Sequence, residues 1–425
     1  MAGDFAYISV LWLLLGVALS LRWSVVALCF ALALIGTSGF RLLIPAISYL
    51  CRYVFGVSAL ALALLTVLFF VARSISSVLV GKLCEVYGRL NVVVFIAFSL
   101  FALVSLLFAF AGSIHLVLVL RFVQGLLSGF AWVTVQLLLG LSVPKEFRGR
   151  VFAIYFMLGS LGFSLGNYLY SVLSSFSLLW ICFVAFCMYC VCAILSLLLP
   201  SRATITGIPS ANVLRGLSSV LRVLRFGFPL FTLLFVVRLY FSIVGGELGY
   251  VYLCEFTGLS MGVVARFLAI VSLISLAVSY GIAWLGDRFS DLLALYLCSL
   301  LLVAGSLLLA VSNVSLVFLG FLLLSSSLRS LTPLSRKFAT TYFRSRGVAI
   351  GLVNSVTNLG AALGAVSAGY LYDVLGLVTI SIRFLSTSTD LCIFTLVLAL
   401  FVSTLVLFSC LLLHMWRFRL KSSKY

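Results

Sequence analysis

Seven charged residues interrupt stretches that are otherwise apolar: Arg41, Arg73, Arg121, Arg238, Arg266, Arg329 and one acid, Glu247. An arginine facing hydrocarbon costs about 2.5–3.5 kcal/mol, so six of them would cost about 15–21 kcal/mol. Such groups instead reach water, pair, or snorkel to the interface. Arg266 is placed to snorkel. Arg73, Arg238 and Arg329 lie deeper and are expected to line a central cavity. Ser325, Ser326 and Ser327 precede Arg329, and Asn354, Thr357 and Asn358 share one helical face at i, i+3 and i+4. Arg73, Arg238, Arg329, Asn354 and Asn358 are therefore the candidate substrate residues. With several arginines against one acid, such a cavity favours an anion or a substrate with an anionic group. The plain alternative is that some arginines only bond carbonyls between helices.

Glu247 invites a second kind of chemistry. A carboxyl in a dry site resists ionisation, and a nearby arginine restores it. A change in that arginine's distance would move a proton on or off. Arg41, Glu247 and Arg121 are thus the candidates for proton coupling or an outer gate, and an Arg41–Glu247 pair is expected to close the outer side. Arg238 and Glu247 are nine residues apart, on opposite faces of a straight helix; Gly245-Gly246 between them would break that helix and let both face inward.

The elements that position these residues follow from composition. The chain has 425 residues, 64% apolar and 8% charged, with a mean hydropathy of +1.34. This excludes a soluble enzyme, a disordered chain and a secreted disulfide scaffold. Long continuous apolar runs, rather than segments of about ten alternating residues, exclude an outer-membrane barrel. The runs read as twelve spans near 24–50, 57–80, 91–112, 116–142, 151–174, 177–199, 229–253, 261–285, 292–312, 315–335, 347–371 and 391–414.

The formal charge of +18 fits topology better than nucleic acid. Nineteen of the 27 Lys and Arg, including Arg336 and Lys337, fall between spans on one side; Arg52 and Arg383 fall on the other. The first side is expected to be cytoplasmic, with the C-terminus there and the protein in the cell membrane. Trp23 and Trp416 sit where interfacial anchors belong. Two histidines and scattered cysteines supply no metal spacing, and no cofactor is expected. Cys187 and Cys190 match a CxxC pattern inside an apolar run, where packing is the simpler reading.

The expected class is an all-α polytopic membrane protein of twelve transmembrane helices in two six-helix pseudo-symmetric bundles. Residues 1–23 hold an extra apolar segment, 24–200 the first bundle, 201–228 a linker, 229–415 the second bundle and 416–425 a basic tail. In the linker Leu214, Leu217, Leu221 and Leu224 are flanked by Arg215, Arg222 and Arg225, as in an amphipathic helix on the membrane surface.

The halves repeat. Gly56-Val57-Ser58 matches Gly258-Leu259-Ser260 at an offset of 202, and Leu83-Cys84-Glu85 matches Leu285-Gly286-Asp287 at the same offset. Arg148-Gly149 matches Arg346-Gly347, and Gly162 and Gly166 match Gly360 and Gly364, at 198. The halves are parallel repeats that can rock about a central cavity. The four glycines form small-xxx-small surfaces for close helix packing.

With these motifs the chain resembles the major facilitator superfamily. After span two it reads Gly81-Lys82-Leu83-Cys84-Glu85-Val86-Tyr87-Gly88-Arg89, with Glu85 for the family's Asp and Val86 for its Arg. The second-half copy keeps Asp287 and Arg288 and loses both glycines. Span four carries Arg121-Phe122-Val123-Gln124-Gly125, similar to the family's Arg-x-x-Gln-Gly. Span five holds Gly159, Gly162 and Gly166, resembling the glycine motif of drug:proton antiporters, with Asn167 in place of Pro. The resemblance implies that Gly81, Glu85, Gly88, Arg89, Asp287 and Arg288 form cytoplasmic gates, and that the protein works as a monomer.

The resulting expectation is a secondary active transporter, with a small-molecule substrate, a proton as coupling ion, the lipid bilayer as surroundings and no nucleic-acid partner. Efflux of lipophilic drug-like compounds is the alternative. A membrane enzyme lacks a convergent nucleophile, base or metal set, and a channel needs no two-sided rocking.

Overall fold

In lipid a backbone polar group must be satisfied within its own segment, so apolar runs of this length become helices. The computed structural model describes residues 23–87, 89–144, 147–200, 213–342, 346–384 and 387–422. The first half has α1 (Trp23–Tyr49), α2 (Ala59–Tyr87), α3 (Leu90–Leu107), α4 (Ile114–Ser142), α5 (Arg148–Leu173) and α6 (Leu178–Leu197). The second half has α7 (Val213–Arg238), α8 (Phe241–Val244), α9 (Glu247–Thr257), α10 (Met261–Arg288), α11 (Asp291–Ala310), α12 (Val314–Tyr342), α13 (Arg346–Leu375) and α14 (Ile393–Ser422). Ten helices among the described residues are long and apolar enough to cross a membrane. Span seven is divided into α7, α8 and α9, so the chain is an all-α polytopic protein of twelve spans.

Helix pairing repeats between the halves. In the first, α2 packs on α4, α1 on α5 and α3 on α6; in the second, α10 packs on α12, α7 on α13 and α11 on α14. The halves meet through α2 with α13 and α5 with α10. Gly56 and Gly258, the sequence pair after spans one and seven, both turn the chain in the left-handed region, at φ 62° and 69°.

The glycine pairs hold the equivalent crossings α1–α5 and α7–α13. A Cβ on Gly166 would fall 2.3 Å from the Ser38 carbonyl oxygen, and one on Gly162 2.1 Å from Thr37 Oγ1. A Cβ on Gly364 would fall 2.1 Å from the Leu239 carbonyl oxygen, and one on Gly360 2.4 Å from that of Phe235. Only hydrogen fits at these contacts.

Several expectations are corrected. The loop after span eleven carries an antiparallel hairpin of β1 (Thr379–Phe384) and β2 (Thr387–Cys392). Its alternation was masked by the adjoining apolar run. Asp390 O accepts from Ser312 N at 2.7 Å, tying the hairpin to the α11–α12 turn. Arg336 and Lys337 are not loop residues: α12 runs on to Tyr342. Leu328, Leu331, Leu334 and Phe338 keep their buried face through that extension. The linker helix is not a separate element, because α7 passes from Val213 into span seven. Residues 5–21, Arg202 and the tail from Ser423 lie outside the described residues, as do the side chains of Arg215, Arg222 and Trp416.

Gly364→Ala is expected to destabilise the protein by about 1–3 kcal/mol, since backbone stands where the methyl must go. Gly281→Ala, with nothing within 4 Å, should be neutral or slightly stabilising. Thermal unfolding of the two variants in detergent compares them.

Candidate functional site

The break in span seven builds the site. After Arg238 ends α7, the chain makes the single turn of α8, and Gly245 and Gly246 separate it from α9. Glu247 becomes the first residue of α9, where a carboxylate suits the positive end of the helix. It is 1% exposed.

Glu247 meets the first half of the molecule from the second. Its carboxylate forms an ion pair with Arg121 of α4 and accepts a hydrogen bond from Thr66 Oγ1 of α2. Arg121 also donates to Gln124 Oε1 at 2.5 Å, one turn along α4. Its guanidinium lies 5.5 Å from the Phe40 ring centroid and 5.4 Å from that of Phe69. Ser48 Oγ of α1 donates to the Glu247 carbonyl at 3.2 Å.

The expected Arg41–Glu247 pair is therefore not formed. Arg41, 4% exposed, donates instead to the Gly245 carbonyl at 2.5 Å. The break leaves that carbonyl free to accept, and Arg41 takes it while Arg121 takes the acid. Arg41 also stands 5.2 Å from the Phe163 ring centroid and 5.3 Å from that of Tyr250. Tyr250 donates to Asn167 Oδ1 at 2.5 Å. This gives Asn167, which replaces the family's Pro, a bond across the halves.

Toward the basic loops lies a small, partly open pocket lined by Arg238, Arg336, Thr332, Ser335 and Thr357 and by an apolar wall. Arg238 reaches Thr332 Oγ1 at 3.5 Å and stacks on Phe241 at 5.4 Å. Arg336 donates to Asn354 Oδ1 at 2.7 Å and lies over Phe156 of α5 at 5.8 Å. Sequence reading missed Arg336 by ending span ten too early; the continuing apolar spacing was the available signal. Arg73 of α2 does not line the pocket, but Arg336 feels its positive charge as well as that of Arg238. The neighbour of Arg73, Ser74, accepts from Asn358 Nδ2 at 3.0 Å.

The other candidates fall elsewhere. Arg329 bonds Ser272 Oγ at 2.9 Å, lies over Phe163 at 5.9 Å, the ring that Arg41 also faces, and does not line the pocket. Arg266 bonds Ser171 Oγ at 3.0 Å. Gly81 and Glu85 fall on the last turns of α2; Gly88 and the Glu85 side chain lie outside the described residues. Arg89 is exposed at the start of α3. Asp287 and Asp291 share Lys337, each at 2.5 Å, an ion-pair cluster within the second half. Arg288 stacks on Trp284 at 5.2 Å.

The end of the molecule that carries the hairpin is closed by two further contacts between the halves. Arg52 Nε pairs with Glu255 at 2.6 Å. Asp373 of α13 accepts from the backbone N–H of Ala59 at 2.7 Å and of Leu60 at 2.8 Å, capping α2 of the opposite half.

A family model described as Major Facilitator Superfamily matches residues 26–292. The chain belongs to this superfamily. No curated protein sequence matches it. Among solved structures the nucleoside transporter NupG is similar with a TM-score of 0.71 at 12% identity, covering 92% of this chain and 98% of that one. The human organic anion transporter MFSD10 gives 0.64 at 17%, covering 92% and 99%. A bacterial homolog of the lysosomal transporter Spinster, in an inward-facing, unoccupied conformation, gives 0.62 at 15%, covering 83% and 84%. At these identities the likeness is one of fold, and that fold is a transporter fold.

Removing one partner of the Arg121–Glu247 pair leaves a buried charge alone. Arg121→Met and Glu247→Met are each expected to cost about 3–5 kcal/mol, and the double variant less than the sum of the two. Unfolding of the four proteins under identical conditions gives the coupling directly; additive losses would mean that the pair contributes nothing.

Proposed function

We propose that this protein is a secondary active transporter that moves a small anionic solute by alternating access, in a proton-coupled cycle. The observation that carries the anion reading is the pocket: Arg238 and Arg336 line it, both feel the charge of Arg73 in the other half, and no carboxylate lines it among the described residues. Arginine stays charged in proteins, so the cavity presents a standing positive potential.

The proton reading rests on where Glu247 sits. It belongs to one half and its partner Arg121 to the other, so rocking the halves separates them. A buried carboxylate without its cation is costly, and taking up a proton removes the charge. Arg41 follows the same movement through the Gly245 carbonyl. The excess of basic residues on one face supports a cytoplasmic assignment for that face and for the C-terminus, in the cell membrane. The working unit is a monomer, as each chain holds both halves.

A thermal-stability screen on the detergent-purified protein tests the anion reading, using small anions, sugars, amino acids and lipophilic cations. A ligand at 100 times its Kd adds about 2.7 kcal/mol. Small anions should raise Tm, and Arg238→Ala should abolish the rise. Arg329→Ala should weaken it less, given that residue's distance from the pocket. Stabilisation by neutral or cationic compounds alone, untouched by Arg238→Ala, would favour drug-like efflux instead.

A further inference from the structure

Arg266 differs from the other arginines of the spans in where it stands. It is an exposed residue of α10, and only its Nε is engaged, donating to Ser171 Oγ of α5 at 3.0 Å. Among the described residues the rest of its guanidinium has no hydrogen bond, ion pair or aromatic partner. The bond to Ser171 crosses from the second half to the first, along the α5–α10 seam. The helices run close there. A Cβ on Gly262 would fall 2.3 Å from Ser174 Oγ, and further in Ser164 Oγ donates to the Ala269 carbonyl at 2.8 Å.

The seam has an inner and an outer side, and α5 tells them apart. Phe156 lies under Arg336, and Phe163 under Arg41 and Arg329, so these rings mark the inner side. At about 100° per residue, Leu165, Tyr168 and Val172 fall on the opposite side of α5. All three are exposed, as residues that face lipid are. On α10, Val263 and Ile270 stand three and four residues from Arg266, on its own face, and are exposed as well. The free part of the guanidinium thus lies where two lipid-facing stripes meet.

Its depth is set by α10. Arg266 is about 8 Å along the helix from its first residue, Met261. That first turn is at the hairpin end of the molecule, and helical side chains lean toward the N-terminus. The guanidinium therefore reaches back toward the membrane surface. Phe176 and Trp180, exposed just beyond α5, mark the same level, as aromatic residues do at membrane interfaces. Hydrocarbon offers nothing to this cation. A lipid headgroup does: the unused edge of the guanidinium matches the two free oxygens of a phosphodiester, and basic pockets between spans take such headgroups.

We propose that Arg266 holds the phosphate of a membrane glycerophospholipid, with one acyl chain lying along the outer side of the α5–α10 seam between Tyr168 and Ile270. This site is separate from the pocket of Arg238 and Arg336 and does not depend on what the protein carries. Because Nε of the same guanidinium is bonded to the opposite half, a phosphate that orders Arg266 also strengthens that bond. Bound lipid then favours the arrangement in which the halves are joined at the hairpin end.

The test uses the full chain, purified in a mild detergent and relipidated with a phosphatidylglycerol that carries a photoactivatable diazirine in one acyl chain. The matching diacylglycerol is the phosphate-free probe. Mass spectrometry of the digested protein locates the adducts. Phosphatidylglycerol should label 165–172 and 263–270 in preference to other lipid-facing segments, and diacylglycerol should label all of them alike. Arg266→Leu suits a lipid-facing position and should fold; it should reduce the seam label at least ~10-fold, as the loss of charge-assisted hydrogen bonds implies. Arg266→Lys should retain part of the label. Excess inorganic phosphate should not compete, because the free ion lacks the chain. Uniform labelling by phosphatidylglycerol, or an unchanged seam label in a folded Arg266→Leu protein, overturns the proposal. Displacement of the label by inorganic phosphate assigns the site to the free ion and overturns it too.

Discussion

A guanidinium buried among lipid-facing helices keeps its charge, and the protein must provide something for that charge to meet. Most of this structure follows from that constraint. One carboxylate inside the spans serves several arginines, so it can satisfy only one of them. Arg121 takes Glu247. Arg41 takes a backbone carbonyl that exists as a free acceptor only because span seven is broken. Arg266 and Arg329 take serine hydroxyls. Arg238 and Arg336 line a pocket and both feel the charge of Arg73. The broken helix is thus part of the charge arrangement: a straight span would bury neither Glu247 against α4 nor the Gly245 carbonyl against α1.

The two kinds of contact between the halves differ in character. Near the hairpin, Asp373 and Glu255 make short polar bonds to groups at helix ends, where water can replace them as the halves part. Deeper, the Arg121–Glu247 pair is almost wholly buried, where either partner alone would be a costly buried charge. At the level of the cavity the halves meet through Phe156 under Arg336 and through the Asn358–Ser74 bond. Packing between the bundles is most extensive along α2–α13 and α5–α10, with α9 set against α1 and α2 besides.

Much of this was legible in the sequence. Continuous apolar runs separated the spans, and the offset of the repeats gave the parallel halves. The spacing of Gly162 and Gly166, and of Gly360 and Gly364, marked close crossings before their partners were known. Gly245-Gly246 marked the break. The partner of Glu247 was not legible. Arg41 lies level with it by the repeat offset, but the choice between two arginines depends on which helix faces the break, and periodicity carries no such information. Arg336 was hidden for another reason. A cationic pair, Arg336-Lys337, reads as the end of a span, although here one of the two turns inward to the cavity and the other outward to Asp287 and Asp291. The β-hairpin was hidden because Leu391, Cys392 and Ile393 continue directly into the apolar run of α14.

That hairpin bonds to its own neighbours in the second bundle, through Ser312 and the isolated bridge between Val311 and Leu391. It does not hang as a free loop. Anchored at both its base and its flank, it must travel as a passenger of that bundle. It is accordingly a fiducial mark set outside the helical body: its displacement relative to the end of α1 would report any rotation of one bundle against the other, much as the hand of a dial reports the turning of a shaft it does not drive.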